Sequence, residues 1–191
     1  MKVKSRPALR TAIVLGITSI LILGVVWYVN APKINPKTGQ TEIATVDLPE
    51  GQAAPEIGQL APDFTTTAIT GETITLSSLV GQPVLLVFVA SWCSYCLAEA
   101  PDLNAISNDF AGRAHVISIF IGDNQATVEE YAVKNGLSDL LVPDPAKQLG
   151  KAYGATGIPA HYFIDAQGII QGISFGSTPA TSIIATLESL G

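Results

Sequence analysis

Cys93 and Cys96 are the only two cysteines in 191 residues, and two residues separate them. The stretch before them, Val84 to Ala90, is apolar and rich in valine, and Leu97 to Phe110 can be helical. A buried strand that delivers a Cys-x-x-Cys pair to the start of a helix is the layout of a thiol–disulfide redox site. It also restricts the fold. A strand with no alternation of polar residues is buried on both faces, so helices must cover both sides of its sheet.

A thiolate, not a thiol, attacks a disulfide. Cys93 sits where a helix begins, so unpaired backbone N–H groups and the positive end of the helix dipole favour its anion. Cys93 is therefore the expected nucleophile. Cys96, one helical turn on, is expected to resolve the mixed disulfide by attacking Cys93. Trp92 offers an apolar surface for a substrate beside the pair. The competing reading is a structural bridge, but closing so small a loop removes little chain entropy.

The N-terminus sets the compartment. Lys2, Lys4, Arg6 and Arg10 form a basic flank over residues 1–10. Residues 11–29 follow without a charge and nearly match the hydrocarbon core of a bilayer, with Trp27 and Tyr28 at the far end. A single transmembrane helix with the rest of the chain outside the cytoplasm is expected. A cleaved signal peptide is the alternative, with small residues near Val29-Asn30-Ala31. Pro32 beside the scissile bond and the length of the apolar run favour a retained anchor. All 16 acidic residues lie beyond residue 30, with no basic patch among them, so a nucleic-acid partner is not expected. Residues 30–57, interrupted by Pro32, Pro36, Pro49 and Pro55, read as a flexible linker.

Residues 58–191 read as one α/β domain. Phe64–Thr67 and Thr73–Leu76 form a hairpin across Thr70-Gly71, followed by a helical turn over Ser77–Leu79. After the Val84–Ala90 strand, the helix to Phe110 contains Pro101, which predicts a kink or break. His115–Ile121 is the next strand, and His115 at its start reads as structural. A capping box of Thr127 and Glu130 opens a helix that ends before Gly136. A short strand, Leu140–Val142, precedes a helix over Ala146–Tyr153. His161–Asp165 and Ile169–Ser174 form a hairpin across Ala166-Gln167-Gly168. Thr178 is expected to cap the last helix, with Pro179 at its first position.

Residues 58–191 resemble the TlpA/ResA family of membrane-anchored thiol–disulfide oxidoreductases, and hence a thioredoxin fold. Ala61-Pro62-Asp63-Phe64 resembles that family's lead-in, and Leu85 to Cys96 its strand and Trp-Cys-x-x-Cys site. Glu99 and Pro101 match its Glu-x-Pro, and Gly157-Ile158-Pro159 with Phe163-Ile164-Asp165 resembles its cis-proline loop and following strand. The resemblance implies a mixed central sheet flanked by helices, an N-terminal β-hairpin extension and one preceding transmembrane helix. It implies an enzyme that needs no metal or other cofactor besides the Cys93–Cys96 disulfide. Its implied partners are disulfide-containing extracytoplasmic clients, such as apocytochrome c or assembly factors for haem and copper proteins, and a transmembrane thiol reductase as electron donor. It assigns Glu99 to proton exchange with Cys96, the alternative being a solvated Glu on an amphipathic helix. It also implies a cis Ile158–Pro159 bond that leaves Ile158 free to pair with a client strand.

Three positions depart from the pattern. Val87 stands where many thioredoxins bury an Asp, so Glu99 gains importance. Tyr95 replaces a proline often found before the second cysteine. Ala160-His161 replaces a Thr-rich pair, and His161 points to the same side of its strand as Pro159. A protonated His161 could stabilise a thiolate, although such a histidine is more often simply hydrogen-bonded under the loop. Two other functions remain in view. Cys93, Cys96 and His161 suit copper, but proteins of that kind carry three residues between the cysteines. A peroxiredoxin-like peroxidase needs a hydroxyl three positions before its cysteine, where this chain has Ala90.

Overall fold

The structure, a computed structural model, describes residues 45–46, 53–138 and 140–191. The expected basic flank, the anchor over 11–29 and most of the 30–57 linker lie outside the described residues. Among the described residues no helix is long and apolar enough to cross a membrane.

Among the described residues, eight strands form two sheets. The first is antiparallel in the order β1 (Thr45–Val46), β2 (Phe64–Thr67), β3 (Thr73–Thr75). β2 and β3 are the expected hairpin. β1 belongs to the stretch read as linker, yet it pairs Thr45 with Thr65 and Val46 with Phe64. The second sheet holds β4 (Val84–Val89), β5 (His115–Ile121), β6 (Leu140–Asp144), β7 (Ala160–Ile164) and β8 (Ile170–Phe175). Its order is β6-β5-β4-β7-β8. β4, β5 and β6 run parallel, whereas β7 is antiparallel to both β4 and β8. Four helices accompany it: α1 (Ser94–Asp109), α2 (Gln125–Asn135), α3 (Gln148–Ala152) and α4 (Ala180–Leu190).

β4 is central, and all six of its residues are buried. Alternation along the strand sends them to two cores. Leu86 and Phe88 join Ile117, Tyr162 and Phe64 of the hairpin, with Leu149 of α3 and Tyr153. Leu85, Val87 and Val89 join Cys93, Cys96 and Leu103 of α1, Val128 of α2 and Ile183 of α4. Apolar helical faces thus close both sides of a mixed sheet, the thioredoxin-like arrangement that the apolar run of β4 requires.

The local corrections have two causes, solvent access at a helix proline and polar side chains that find partners the local pattern does not show. α1 runs unbroken through Pro101. Both Pro101 and Leu97, whose carbonyl loses its partner, face solvent, where water can replace the missing bond. α2 starts earlier than the Thr127–Glu130 pattern implies, because Asn124 is the N-cap and accepts from the Thr127 N–H at 3.0 Å. α3 starts only at Gln148, after Lys147 in the left-handed region at φ 57°. Asp144 anchors this start by accepting from the N–H groups of Gln148 at 2.8 Å and Gly150 at 2.9 Å. Burial pushes the Asp144 carboxyl above its ordinary range, against the pull of those backbone donors. Thr178 does not cap α4. The N-cap is Pro179, and Thr178 turns inward to the site described next.

Candidate active site

The C-terminal end of β4 delivers Cys93 to the N-cap of α1, with Ser94 as the first helical residue. Cys93 and Cys96 are joined in a disulfide, with their Cα atoms 5.2 Å apart. The Cys96 N–H donates to Cys93 Sγ at 3.2 Å, so one of the unpaired donors at the helix start already points at the expected nucleophile. That donor and the helix dipole would favour a thiolate on Cys93 once the disulfide is reduced. Both sulfurs are shielded, but their neighbours are not. Trp92 is 76% exposed and Tyr95 70%, with Leu97 beside them. Exposed aromatic rings flanking a reactive bond give a client protein an apolar landing surface.

One residue that no sequence motif marks holds the loop. Asp123, just beyond β5, accepts from the Ser91 N–H at 2.7 Å and from the Ser91 hydroxyl at 2.9 Å. β4 and β5 are parallel neighbours, so their C-terminal ends meet and a carboxylate after β5 can fix the turn that carries Trp92 and Cys93. Its signal in sequence was only an acidic residue after a predicted strand. Asp123→Ala should cost about 2 kcal/mol of stability, because the Ser91 donors lose their acceptor. Urea unfolding of the oxidised protein measures this, and an unchanged midpoint would count against the clamp.

Beneath the disulfide lies a buried polar cluster. Glu99, on the inner side of α1 one turn from Cys96, is only 6% exposed. His161 on β7 is fully buried. It is the register partner of Val87, so the histidine stands on the sheet face where the absent Asp would have been. His161 Nε2 lies 3.1 Å from Glu99 Oε1. The ring nitrogen is not aligned for a hydrogen bond to the carboxylate, so the two side chains are in contact by distance alone. Glu99 Oε1 also accepts from the Thr178 N–H at 3.0 Å, whereas Glu99 Oε2 is buried without a hydrogen-bond partner.

The Ile158–Pro159 bond is cis, as the resemblance implied. β7 begins at Ala160, which pairs with Phe88, so Pro159 lies at the same end of the sheet as the cysteines. Gly176 fixes the loop by donating its N–H to the Pro159 carbonyl at 2.8 Å. Ile158 packs against both cores. Trp92, Cys93, Cys96, Glu99, Ile158 and Pro159 thus gather at one end of the domain. His161 faces Glu99, and the described residues gather no group of three His, Cys, Asp or Glu side chains as a metal site would. Ala90 is buried and offers no hydroxyl to a peroxide.

Residues 57–173 match the family model described as AhpC/TSA family. The chain belongs to that family. Among curated proteins, it is 28% identical over 191 residues to thiol-disulfide oxidoreductase ResA of Geobacillus kaustophilus, covering 100% of this chain and 99% of that protein. It is 29% identical over 122 residues to the thioredoxin-like protein YneN of Bacillus subtilis, covering 63% of this chain and 72% of that one. Among solved structures it is similar to a putative thiol:disulfide interchange protein DsbE from Chlorobium tepidum. That match has a TM-score of 0.64 at 27% identity, over 70% of this chain and 99% of the other. The exposed lipoprotein thioredoxin of Streptococcus pneumoniae matches at TM-score 0.59 and 30% identity, over 67% of this chain and 99% of the other. This member of the family is a thiol–disulfide oxidoreductase of the ResA/DsbE type, the enzyme class read from the cysteine pair and its surroundings.

Proposed function

We propose that this oxidoreductase works through Cys93 and Cys96 as a reductant of selected client disulfides outside the cytoplasm, held at the membrane by residues 11–29. Reduced Cys93 attacks a client disulfide, forming a mixed disulfide and releasing one client sulfur as a thiolate. Cys96 loses its proton to Glu99 and attacks Cys93. The Cys93–Cys96 bond forms, the mixed disulfide breaks, and the second client sulfur leaves. Two electrons pass to the client, and a transmembrane thiol reductase restores the dithiol. Trp92 and Ile158 meet the client beside the reacting sulfurs, and cis-Pro159 turns the Ile158 backbone toward its strand.

The observation that carries this reading is a disulfide at a helix N-cap with a buried carboxylate one turn behind it. The clients are envelope proteins whose cysteines must be reduced before assembly, apocytochrome c among them. That choice follows the resemblance to the TlpA/ResA family, and the full-length similarity to a protein named thiol-disulfide oxidoreductase ResA supports the disulfide chemistry behind it. The redox potential of the Cys93–Cys96 pair tests the direction of electron flow. A reductant should lie near the thioredoxin value of about −270 mV, and a value near the −120 mV or so of a dedicated oxidant would reverse the assignment. The client class is tested with an oxidised apocytochrome c peptide. The reduced domain should reduce it faster than it reduces insulin, and an equal rate would remove the specific client.

A further inference from the structure

Glu99 and His161 do not stop at each other. On the far side of the imidazole, Nδ1 lies 3.3 Å from the Thr178 hydroxyl. That hydroxyl lies 3.0 Å from Ser174 Oγ and also donates, at 3.5 Å, to the Gly176 carbonyl. Thr178 and Ser174 are half-buried, whereas Glu99 and His161 are buried. The groups therefore form a line from the helix turn beside Cys96 toward the surface. We propose that Glu99, His161 and Thr178 form a proton path between the buried Cys96 thiol and the half-buried hydroxyls before α4. The proposal rests on the oxidoreductase reading and adds the route taken by the resolving proton.

The chemistry of each group fits. Cys96 must lose a proton before its sulfur can attack, and it is buried. Glu99 and His161 are both buried and in contact, so a proton taken from Cys96 stays among protein groups until it reaches the hydroxyls. Imidazole can take a proton at Nε2 and release one from Nδ1, which makes it a shuttle between two partners. A threonine hydroxyl donates to an unprotonated Nδ1 and accepts from a protonated one, so it can follow either state. Glu99 Oε1 faces both the Thr178 N–H and His161 Nε2, and Oε2 has no hydrogen-bond partner, so the carboxyl takes the proton at the free oxygen and rotates to pass it to the imidazole.

The surrounding elements add little competing charge. α1 brings Cys96 and Glu99 to the site, with Cys93 at its cap. β7 brings His161, with the Phe163 ring stacked 6.5 Å away. β4 faces the histidine with Val87, and β8 and the start of α4 supply the neutral hydroxyls of Ser174 and Thr178. The Asp123 carboxylate is occupied by Ser91. In the balanced step, the Cys96 proton goes to Glu99, on to His161 and out through Thr178. The Cys96 electron pair forms the bond to Cys93, and the client sulfur takes the pair of the broken mixed disulfide.

The whole reduced protein is reacted with a chromogenic aromatic disulfide, dithionitrobenzoate. The first coloured thiolate released reports attack by Cys93, and the second reports attack by Cys96. His161→Gln should leave the first release within about twofold and slow the second about tenfold at neutral pH, with the loss made good as pH rises and hydroxide replaces the path. Combining it with Glu99→Gln should slow the second release no further than Glu99→Gln alone, as expected for groups on one path. Thr178→Val keeps the backbone N–H to Glu99 and should slow the second release about threefold with the same pH dependence. An unchanged second release in His161→Gln, equal slowing of both releases, or multiplying effects in the double variant would overturn the path. If His161→Gln does not fold, Thr178→Val decides, and an unchanged pH profile there overturns it. If the wild-type protein releases neither thiolate, the oxidoreductase reading fails, which is a separate result.

Discussion

Cys93→Ser is expected to abolish disulfide reduction, and Cys96→Ser to stall the protein on its client. The two outcomes differ because the sulfurs occupy different environments. Cys93 is the N-cap, with the Cys96 N–H directed at its sulfur, and it lies between the exposed rings of Trp92 and Tyr95. A serine hydroxyl there hardly ionises at neutral pH, so the dipole and the N–H have no anion to stabilise and exchange should fall to background. Cys96, at 2% exposure against 6% for Cys93, is the more buried of the pair and lies one turn along α1, where it can reach Cys93. Without it, the mixed disulfide on Cys93 forms and is not resolved, so intact-mass measurement under non-reducing conditions should show the client covalently attached. Turnover retained by Cys93→Ser, or adducts accumulating on Cys96 instead, would reverse the roles.

Much of this site was legible because its signals are local. An unalternated apolar run, a Cys-x-x-Cys pair after it and a Gly-Ile-Pro ahead of another strand each constrain their own neighbourhood, and β4, the α1 cap and the strand after Pro159 followed. The partners of polar side chains were not legible in this way. Asp123 reaches Ser91 across a sequence separation of 32, and Thr178 reaches Glu99 across 79. No spacing rule connects such pairs, which meet only because the parallel β4 and β5 end together and because α4 starts behind β7. Thr178 shows the conflict directly. Its position before Pro179 has the pattern of an N-cap, but its N–H and hydroxyl serve Glu99 and His161 instead. The orientation of His161 could be read from strand alternation, but its contact with Glu99 needed the packing of α1 on β7.

The same dependence on packing makes Phe88→Ala the largest expected loss of stability. Phe88 is fully buried near the C-terminal end of β4, on the face away from the cysteines. Its ring lies 5.2 Å from that of Tyr153 and 5.5 Å from that of Tyr162, the latter edge to face. Both tyrosine hydroxyls are tied to backbone carbonyls, Tyr153 to Pro62 and Tyr162 to Tyr153 itself. These bonds restrict how far either ring can move into the space left by Phe88. Truncating a buried phenylalanine costs about 3–5 kcal/mol, with the upper end expected where neighbours cannot collapse. A domain of this size holds roughly 5–15 kcal/mol in total, so the variant should retain the fold with a small margin or lose it. Val133→Ala on α2 is the control, since Val133 is 85% exposed and its truncation should stay within about 0.5 kcal/mol of the parent. Urea unfolding with both cysteines oxidised gives the comparison, and a Phe88→Ala loss below about 1 kcal/mol would mean that the aromatic cluster repacks. Because β4 also sets the height of Cys93 against Pro159, the folded fraction of Phe88→Ala should exchange disulfides more slowly only if the strand itself shifts. That separates a core that merely stabilises the domain from one that positions its sulfurs.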